Sequence, residues 1–172
     1  DNWMCVSQFG VIDLLMNNED ADFVQPMKTG FFENLSYIIE KQEQSIFGMY
    51  AGESLQWGSN GTIAMTGVHL YVGYSITNRE SYLTAAWKHL NYLLGNNPLG
   101  FSFVTGFGDN APENPHYRPS THKDGTPPGF LVGGANSGYD AGDFVLAEAK
   151  KQYPGEPAMH YTDSIVWRYA SW

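Results

Sequence analysis

Apolar residues recur at helical spacing in four stretches before Gly95. The stretches are residues 3–16, 30–48, 59–76 and 79–94. Such a period predicts a helix with one buried face. We expect Asn78 to cap the start of the fourth helix and Gly95 to end it, since Asn favours N-caps and Gly the left-handed position after a helix. Strand and helix patterns do not alternate, so the sequence predicts an all-α fold.

A long segment rich in Gly and Pro follows these helices, from Asn96 to about Gly142. Loops of this length in a compact domain are usually functional or disordered, and the many aromatic residues of the segment favour order. Within it, Pro115 stiffens the backbone just before His116. His116 and Arg118 share one face of an extended segment, which suits a hydroxyl-rich or anionic ligand. Helical patterns return weakly over 141–153 and from 164 onward.

Charge and composition exclude several classes of function. The formal net charge is −9 and the isoelectric point is about 4.8. Without a cluster of Lys and Arg to neutralise phosphates, we expect neither nucleic acid nor an anionic membrane as a partner. Cys5 is the single cysteine, so no internal disulfide can form, and no Cys/His spacing is typical of a metal site. Apolar runs are too short for a membrane span.

Several motifs in the same order resemble glycoside hydrolase family 9, the inverting cellulases. The run Ser-Phe-Val-Thr-Gly-Phe-Gly at 102–108 is followed by Pro115, His116 and Arg118, as in that family. The other family-like runs are 56–60 (Gln-Trp-Gly-Ser-Asn), 92–98 (Tyr-Leu-Leu-Gly-Asn-Asn-Pro) and 130–136 (Phe-Leu-Val-Gly-Gly-Ala-Asn). Any one of these motifs alone would be weak evidence, but their common order and spacing make the resemblance specific.

The resemblance implies a fold and a reaction. Residues 1–172 should form the C-terminal half of an (α/α)6 barrel, a partial catalytic domain with no separate second domain and a long ordered active-site loop. Its partners should be a missing N-terminal half and a β-glucan polysaccharide, and the protein should be secreted. The implied reaction is hydrolysis of β-1,4-glucosidic bonds with inversion. Two alternatives stay open: another β-glycan such as a glucosaminide, xyloglucan or mixed-linkage glucan, and a non-hydrolytic carbohydrate-binding fragment.

The family's site residues carry over position by position. His116 and Arg118 match the pair that lines the subsite next to the cleaved bond, where the His contacts sugar hydroxyls and the Arg orients the sugar and a carboxylate. Asp163, in Tyr-Thr-Asp at 161–163, matches an Asp that orients the catalytic Glu or the Arg. Capping of a terminal helix is an alternative role for Asp163. The Glu itself, the general acid, is expected near Trp172, so the chain should end before it.

The general base has two open interpretations. Asp140-Ala141-Gly142-Asp143 spells the family's base motif but follows Asn136, at the wrong end of the barrel. The alternative is a turn in which Asp143 is the N-cap of the next helix, with the base supplied by an N-terminal part of the barrel outside this chain. A test is Asp143→Asn, which preserves a cap and removes a base.

Two aromatic residues are candidate substrate contacts. Trp57 could stack on a glucosyl ring or fill the core, and Tyr117 stands where the family usually has His. No cofactor is required for the chemistry. A structural Ca²⁺ is an option, with oxygen ligands that would come from acidic residues of the loop segment. These residues are Asp109, Asp124, Asp140 and Asp143.

Overall fold

The computed structural model describes residues 6–17, 21–117, 119, 126–138 and 144–164. Their elements are α1 (Ser7–Asn17), a 3-10 turn (Asp22–Val24), α2 (Gln25–Glu43), α3 (Ser59–Thr77), α4 (Glu80–Leu93), α5 (Phe144–Gln152) and a second 3-10 turn (Pro157–Met159). The described residues contain no strand, only one isolated antiparallel bridge between Val104 and Leu131. The prediction of an all-α fold is therefore confirmed.

The helices largely follow the apolar periodicity. α3 and α4 lie within one residue of their predicted bounds, and Gly95 follows α4 with φ 119, as a C-terminal glycine should. α2 differs, because it begins five residues before the predicted start at Gly30 and ends at Glu43, five residues before the predicted end at Gly48. Pro26 is compatible with the earlier start, because a proline in the first helical turn lacks only an N–H that has no helical partner there.

Asn78 ends one helix rather than starting the next. It has φ 54, in the left-handed region, and its backbone N–H donates to the Tyr74 carbonyl at 2.7 Å. This is the geometry of a residue just after a helix, which Asn tolerates better than most side chains. The expectation that Asn78 caps α4 is therefore wrong, since its backbone completes α3.

The chain divides into two compact units. The first takes residues 1–50 and 62–90, and the second takes 51–61 and 91–172. The core of the first unit is apolar, with Leu15, Leu35 and Leu70 fully buried. Gly73 is packed against the Leu35 side chain, so a larger residue at 73 would overlap it. Burial of such side chains, worth roughly 1.5–3 kcal/mol each, is what holds this unit together.

The second unit is rich in turns and positions its backbone with polar side chains. The Asn97 side chain donates to the carbonyls of Tyr92 and Phe101, both at 2.8 Å, and accepts from the Leu99 N–H at 3.1 Å. Asn97 thus joins the end of α4 to the loop that follows. Backbone carbonyls and N–H groups that are buried in an irregular segment need hydrogen-bond partners. The Asn97 side chain supplies such partners here, as backbone groups do within a helix or a sheet.

Candidate functional site

The start of α3 holds the segment 132–136 in place. Ser59 Oγ donates to the Ala135 carbonyl at 2.7 Å, and Asn60 Nδ2 donates to the Val132 carbonyl at 3.0 Å. Gly134 has φ 90 and lies directly against the Asn60 amide, where any β-carbon would overlap it. Gly134 thus meets two requirements that only glycine satisfies.

Thr105 anchors a neighbouring part of the loop. Its hydroxyl donates to the Pro127 carbonyl at 2.7 Å and accepts from the Phe130 N–H at 2.9 Å. Its backbone N–H also donates to the Phe130 carbonyl, at 3.0 Å. Thr105 is 1% exposed, so these bonds are shielded from water. The expected order of the loop is observed here, and it depends on polar contacts.

An aromatic cluster supports the residues just before Asp163. The Tyr161 ring lies 5.1 Å from the buried Phe103 ring in an edge-to-face arrangement and 5.6 Å from Phe101, measured between ring centroids. Burial, together with the negative charge of Asp163, raises the pKa of Tyr161. The Tyr161 phenol is therefore protonated at neutral pH.

The Asp163 carboxylate holds the turn that leads to His116. Its Oδ2 accepts from the Glu113 N–H at 2.8 Å, and its Oδ1 accepts from the Asn114 N–H at 3.0 Å. The Asn114 side chain adds a bond from Nδ2 to Oδ2 at 3.1 Å. Pro115 and His116 follow immediately. An ionised carboxylate with three N–H donors is a strong local anchor.

A cavity of about 50 Å³ opens beside this turn. Its lining residues are Trp57, Asn114, Pro115, His116, Val132, Gly133, Gly134, Asn136, Leu146, His160, Tyr161 and Thr162. The Trp57 side chain is 46% exposed, and His116 is also exposed. The space exceeds what one water needs but is well below a usual ligand pocket. The described residues therefore form one side of a small, partly open cavity.

The structure brings some of the predicted site residues together. Trp57 and His116 line the same cavity, and Asp163 holds the turn beside it. Tyr117 packs its ring on Phe130, with 4.6 Å between centroids. The expected roles of Arg118, Asp140 and Asp143, and the expected position of the general acid near Trp172, fall on residues outside the described part of the chain.

Sequence reasoning missed two polar residues of the cavity wall. Asn114 contacts Asp163 across 49 positions of sequence, and no local pattern predicts that pairing. No motif or spacing in the sequence singles out His160. It is 7% exposed, and its Nε2 donates to the Tyr153 carbonyl at 2.7 Å, since a carbonyl can only accept. The proximity of His160 to the Tyr161–Asp163 motif was the only available signal.

Metal and membrane expectations meet limited tests. Among the described ranges, no group of three or more His, Cys, Asp or Glu side chains could hold a metal ion. Three of the four aspartates considered for Ca²⁺ lie outside those ranges, so the calcium site stays a prediction. Of the helices that the structure describes, none is long and apolar enough to cross a membrane.

The fold and the cavity define a class: an all-α protein with a site made by an ordered, turn-rich segment lined by an indole, an imidazole and amide groups. Comparison with known proteins then gives the family. The chain belongs to glycosyl hydrolase family 9, whose model matches residues 4–170. The solved relatives are (α/α)6-barrel enzymes, so the fold class is part of such a barrel, as the resemblance implied.

The three relatives match between 75% and 98% of this chain, but the chain covers only a small share of each of them. A xyloglucan-specific endo-β-1,4-glucanase of Bacteroides ovatus is 37% identical over 135 residues, 75% of this chain and 23% of that protein. Endoglucanase D of Acetivibrio thermocellus is 32% identical over 98% of this chain and 27% of its own. A metagenome-derived family 9 endoglucanase structure has TM-score 0.79 at 29% identity, covering 97% of this chain and 30% of that one.

The chain thus spans less than a third of the length of these relatives. The relatives are glycoside hydrolases, and the resemblance to their family is confirmed.

Proposed function

We propose that this chain is part of a catalytic domain that hydrolyses β-1,4-glucosidic bonds in cellulose or a related β-glucan with inversion. The observation that carries the proposal is the cavity of the second unit, which places Trp57 and His116 in one wall beside a turn anchored by Asp163. An indole face suits the apolar face of a sugar ring, and an imidazole suits its hydroxyls.

His116 and Arg118 supply the sugar-binding part of the site in this proposal. The exposed His116 ring can donate to or accept from a hydroxyl, and the Arg118 guanidinium can meet a diol or a carboxylate through two N–H groups. Tyr117 lies next to them and, through its contact with Phe130, shapes a neighbouring subsite. This set orients the sugar and leaves proton transfer to carboxyl groups.

Inverting hydrolysis needs a carboxylic acid and a carboxylate roughly 6.5–9.5 Å apart, with a water between the carboxylate and the sugar. Asp163 is a poor candidate for either, because its two oxygens already accept three N–H donors. We therefore propose that Asp163 orients the site, while the general acid and base come from other carboxyl groups of the complete protein. Asp143→Asn should accordingly leave most of the activity intact. Loss of turnover in a correctly folded variant would make Asp143 the base.

The rest of the catalytic domain is the proposed protein partner, and secretion is the proposed location, since a polymeric glucan is met outside the cell. The chemistry should need no cofactor, because two carboxyl groups suffice. A bound Ca²⁺ would be structural. Chelation should then lower the melting temperature of the complete protein while kcat, measured well below that temperature, stays unchanged.

Xyloglucan is the second candidate substrate, favoured by the 37% identity to a xyloglucan-specific relative. Its backbone is a β-1,4-glucan with branches, so the same wall would need space beside the sugar. Comparing kcat/KM on xyloglucan, carboxymethylcellulose and mixed-linkage glucan decides between them. A non-hydrolytic carbohydrate binder would instead show affinity for these glucans without reducing-end release.

The direct experiment follows the anomer released by the complete protein. Proton NMR of the first minutes of reaction on a soluble β-glucan should show the α-anomer before mutarotation. Initial formation of the β-anomer would contradict inversion. Failure to cleave or bind any β-glucan would contradict the proposed function.

A further inference from the structure

The Asn114 side-chain amide has only one orientation open to it. Its Nδ2 donates to the Asp163 carbonyl at 3.2 Å and to Asp163 Oδ2 at 3.1 Å. A flipped amide would set its oxygen against these two acceptors and lose both bonds, so the assignment of nitrogen and oxygen is determined by the network. Both hydrogens of the amide are consumed by Asp163.

The backbone of the same residue is held by the same carboxylate. The Asn114 N–H donates to Asp163 Oδ1 at 3.0 Å, and the preceding Glu113 N–H donates to Oδ2 at 2.8 Å. Main chain and side chain are therefore both fixed before any ligand arrives. A group held in this way loses little conformational entropy when it forms one more hydrogen bond.

The amide oxygen of Asn114, Oδ1, takes no part in these bonds to Asp163. Asn114 is partly buried and lines the cavity together with Trp57 and His116. Among the described residues, the structure gives its Oδ1 no hydrogen-bond donor. An acceptor in a cavity wall loses water when a ligand fills the cavity, so the ligand has to bring a donor.

We propose that Asn114 is a specificity-determining ligand contact whose Oδ1 accepts a hydrogen bond from one hydroxyl group of the sugar bound at the His116 cavity. The inference rests on the proposed function, because it takes the ligand to be a β-glucan. In this proposal the two ends of the amide have separate roles. Nδ2 fixes the side chain to Asp163, and Oδ1 accepts a hydrogen bond from a ligand hydroxyl.

A fixed acceptor discriminates against a ligand that lacks the matching donor, because the acceptor is then left buried and unpaired. A neutral hydrogen bond of this kind corresponds to about a three- to ten-fold change in affinity. The loss of affinity should be confined to the removal of one hydroxyl group, since the oxygen of a fixed amide can accept a hydrogen bond only from a hydroxyl in one position.

The test pairs a variant with a set of ligands in the complete protein. Affinities of a cello-oligosaccharide methyl glycoside and its monodeoxy analogues are measured by calorimetry for the parent and for Asn114→Ala. We expect one analogue to bind the parent about three- to ten-fold more weakly, and Asn114→Ala to bind this analogue and the full sugar equally well. Asn34→Ala, on the exposed part of α2, is the matched control and should retain the parent's pattern.

Each outcome decides something. If the parent binds the full sugar but Asn114→Ala loses affinity for every analogue to the same extent, Asn114 is only structural and this inference is wrong, while the proposed function stands. If the parent binds no cello-oligosaccharide, both fail. Should Asn114→Ala not fold, Asn114→Gln keeps the amide but moves its oxygen by one methylene. Retention of the parent's discrimination by Asn114→Gln would also overturn the inference.

Discussion

The two units of the chain are stabilised by different kinds of contact. In the first, fully buried aliphatic side chains such as Leu35 and Leu70 fill the space between helices. In the second, single polar side chains such as Asn97, Thr105 and Asp163 each hold two or more backbone groups. Apolar packing is tolerant of the order in which residues occur along a helix face, whereas a polar anchor works only at one position. The turn-rich unit is also the one that contains the cavity.

The largest expected effect is at the centre of the apolar core. Leu35 is 0% exposed, and Leu35→Ala should lower the free energy of unfolding of the complete protein by about 2–5 kcal/mol. Leu131→Ala is the matched control, because Leu131 belongs to the turn-rich unit and is 38% exposed. Its cost should be under about 1 kcal/mol, in line with most surface changes. If chemical denaturation showed equal losses in the free energy of unfolding for the two variants, the first unit would not depend more on apolar packing than the second.

Gly134 tests whether the turn-rich unit depends on close backbone contacts. Gly134→Ala combines a positive φ of 90° with overlap on the Asn60 side chain. Gly129→Ala has nearly the same backbone, φ 94, with no atom near the added β-carbon. Both changes incur backbone strain, so the additional loss at Gly134, about 1–3 kcal/mol, measures the contact alone. The same loss of stability in both variants would show that the Asn60 side chain can move away from an added β-carbon without destabilising the protein.

His89 makes the stability of the first unit depend on pH, with a smaller effect than the substitutions at Leu35 and Gly134. It is 0% exposed, and its Nε2 accepts from the Tyr50 N–H at 3.1 Å, so the ring is neutral, with its hydrogen on Nδ1 towards the Ala85 carbonyl at 2.9 Å. Burial lowers the pKa of His89 below its usual 6.5, although the Ala85 carbonyl opposes the shift. Just below pH 6.5, the unfolded state therefore binds more protons than the folded state. The contribution of the neutral His89 to stability is fully present above that pH and is lost as the pH falls below it.

The measurement is the melting temperature of the complete protein from pH 7.5 to 5.5. It should fall as the pH is lowered, and His89→Gln, which can still donate and accept, should reduce the slope. Burial also lowers the pKa of His69, so this residue should contribute to the pH dependence in the same direction. A melting temperature that rises on acidification in this range, or a slope that His89→Gln leaves unchanged, would contradict this role of His89.

The sequence predicted the helical unit better than the site, for a physical reason. A helix repeats its contacts every three or four residues, so the apolar pattern shows α3 and α4 directly. The errors fell at helix ends, as with Asn78 at the junction of two helices and with the start of α2 at Gln25. The family motifs drew attention to His116, which lines the cavity, and to Asp163, which holds the turn beside it.

What the sequence could not show is how these residues are connected. The bonds between Asp163 and the turn at 113–114 span about fifty positions, and the Asn60–Val132 bond spans 72. Such contacts leave no periodic pattern, because each depends on one donor, one acceptor and the course of the chain between them. Asn114 was therefore overlooked, even though it stands two positions before His116.

The central claim is that the cavity of the turn-rich unit serves the reaction and the apolar core serves stability. His116→Ala in the complete protein tests it most directly, through kcat/KM on a soluble β-glucan measured together with the melting temperature. His116 is exposed, so the melting temperature should change little, while loss of the proposed sugar contact should lower kcat/KM about 10- to 100-fold. Near-parental kcat/KM together with a clearly lower melting temperature would contradict the account, since His116 would then be a structural residue.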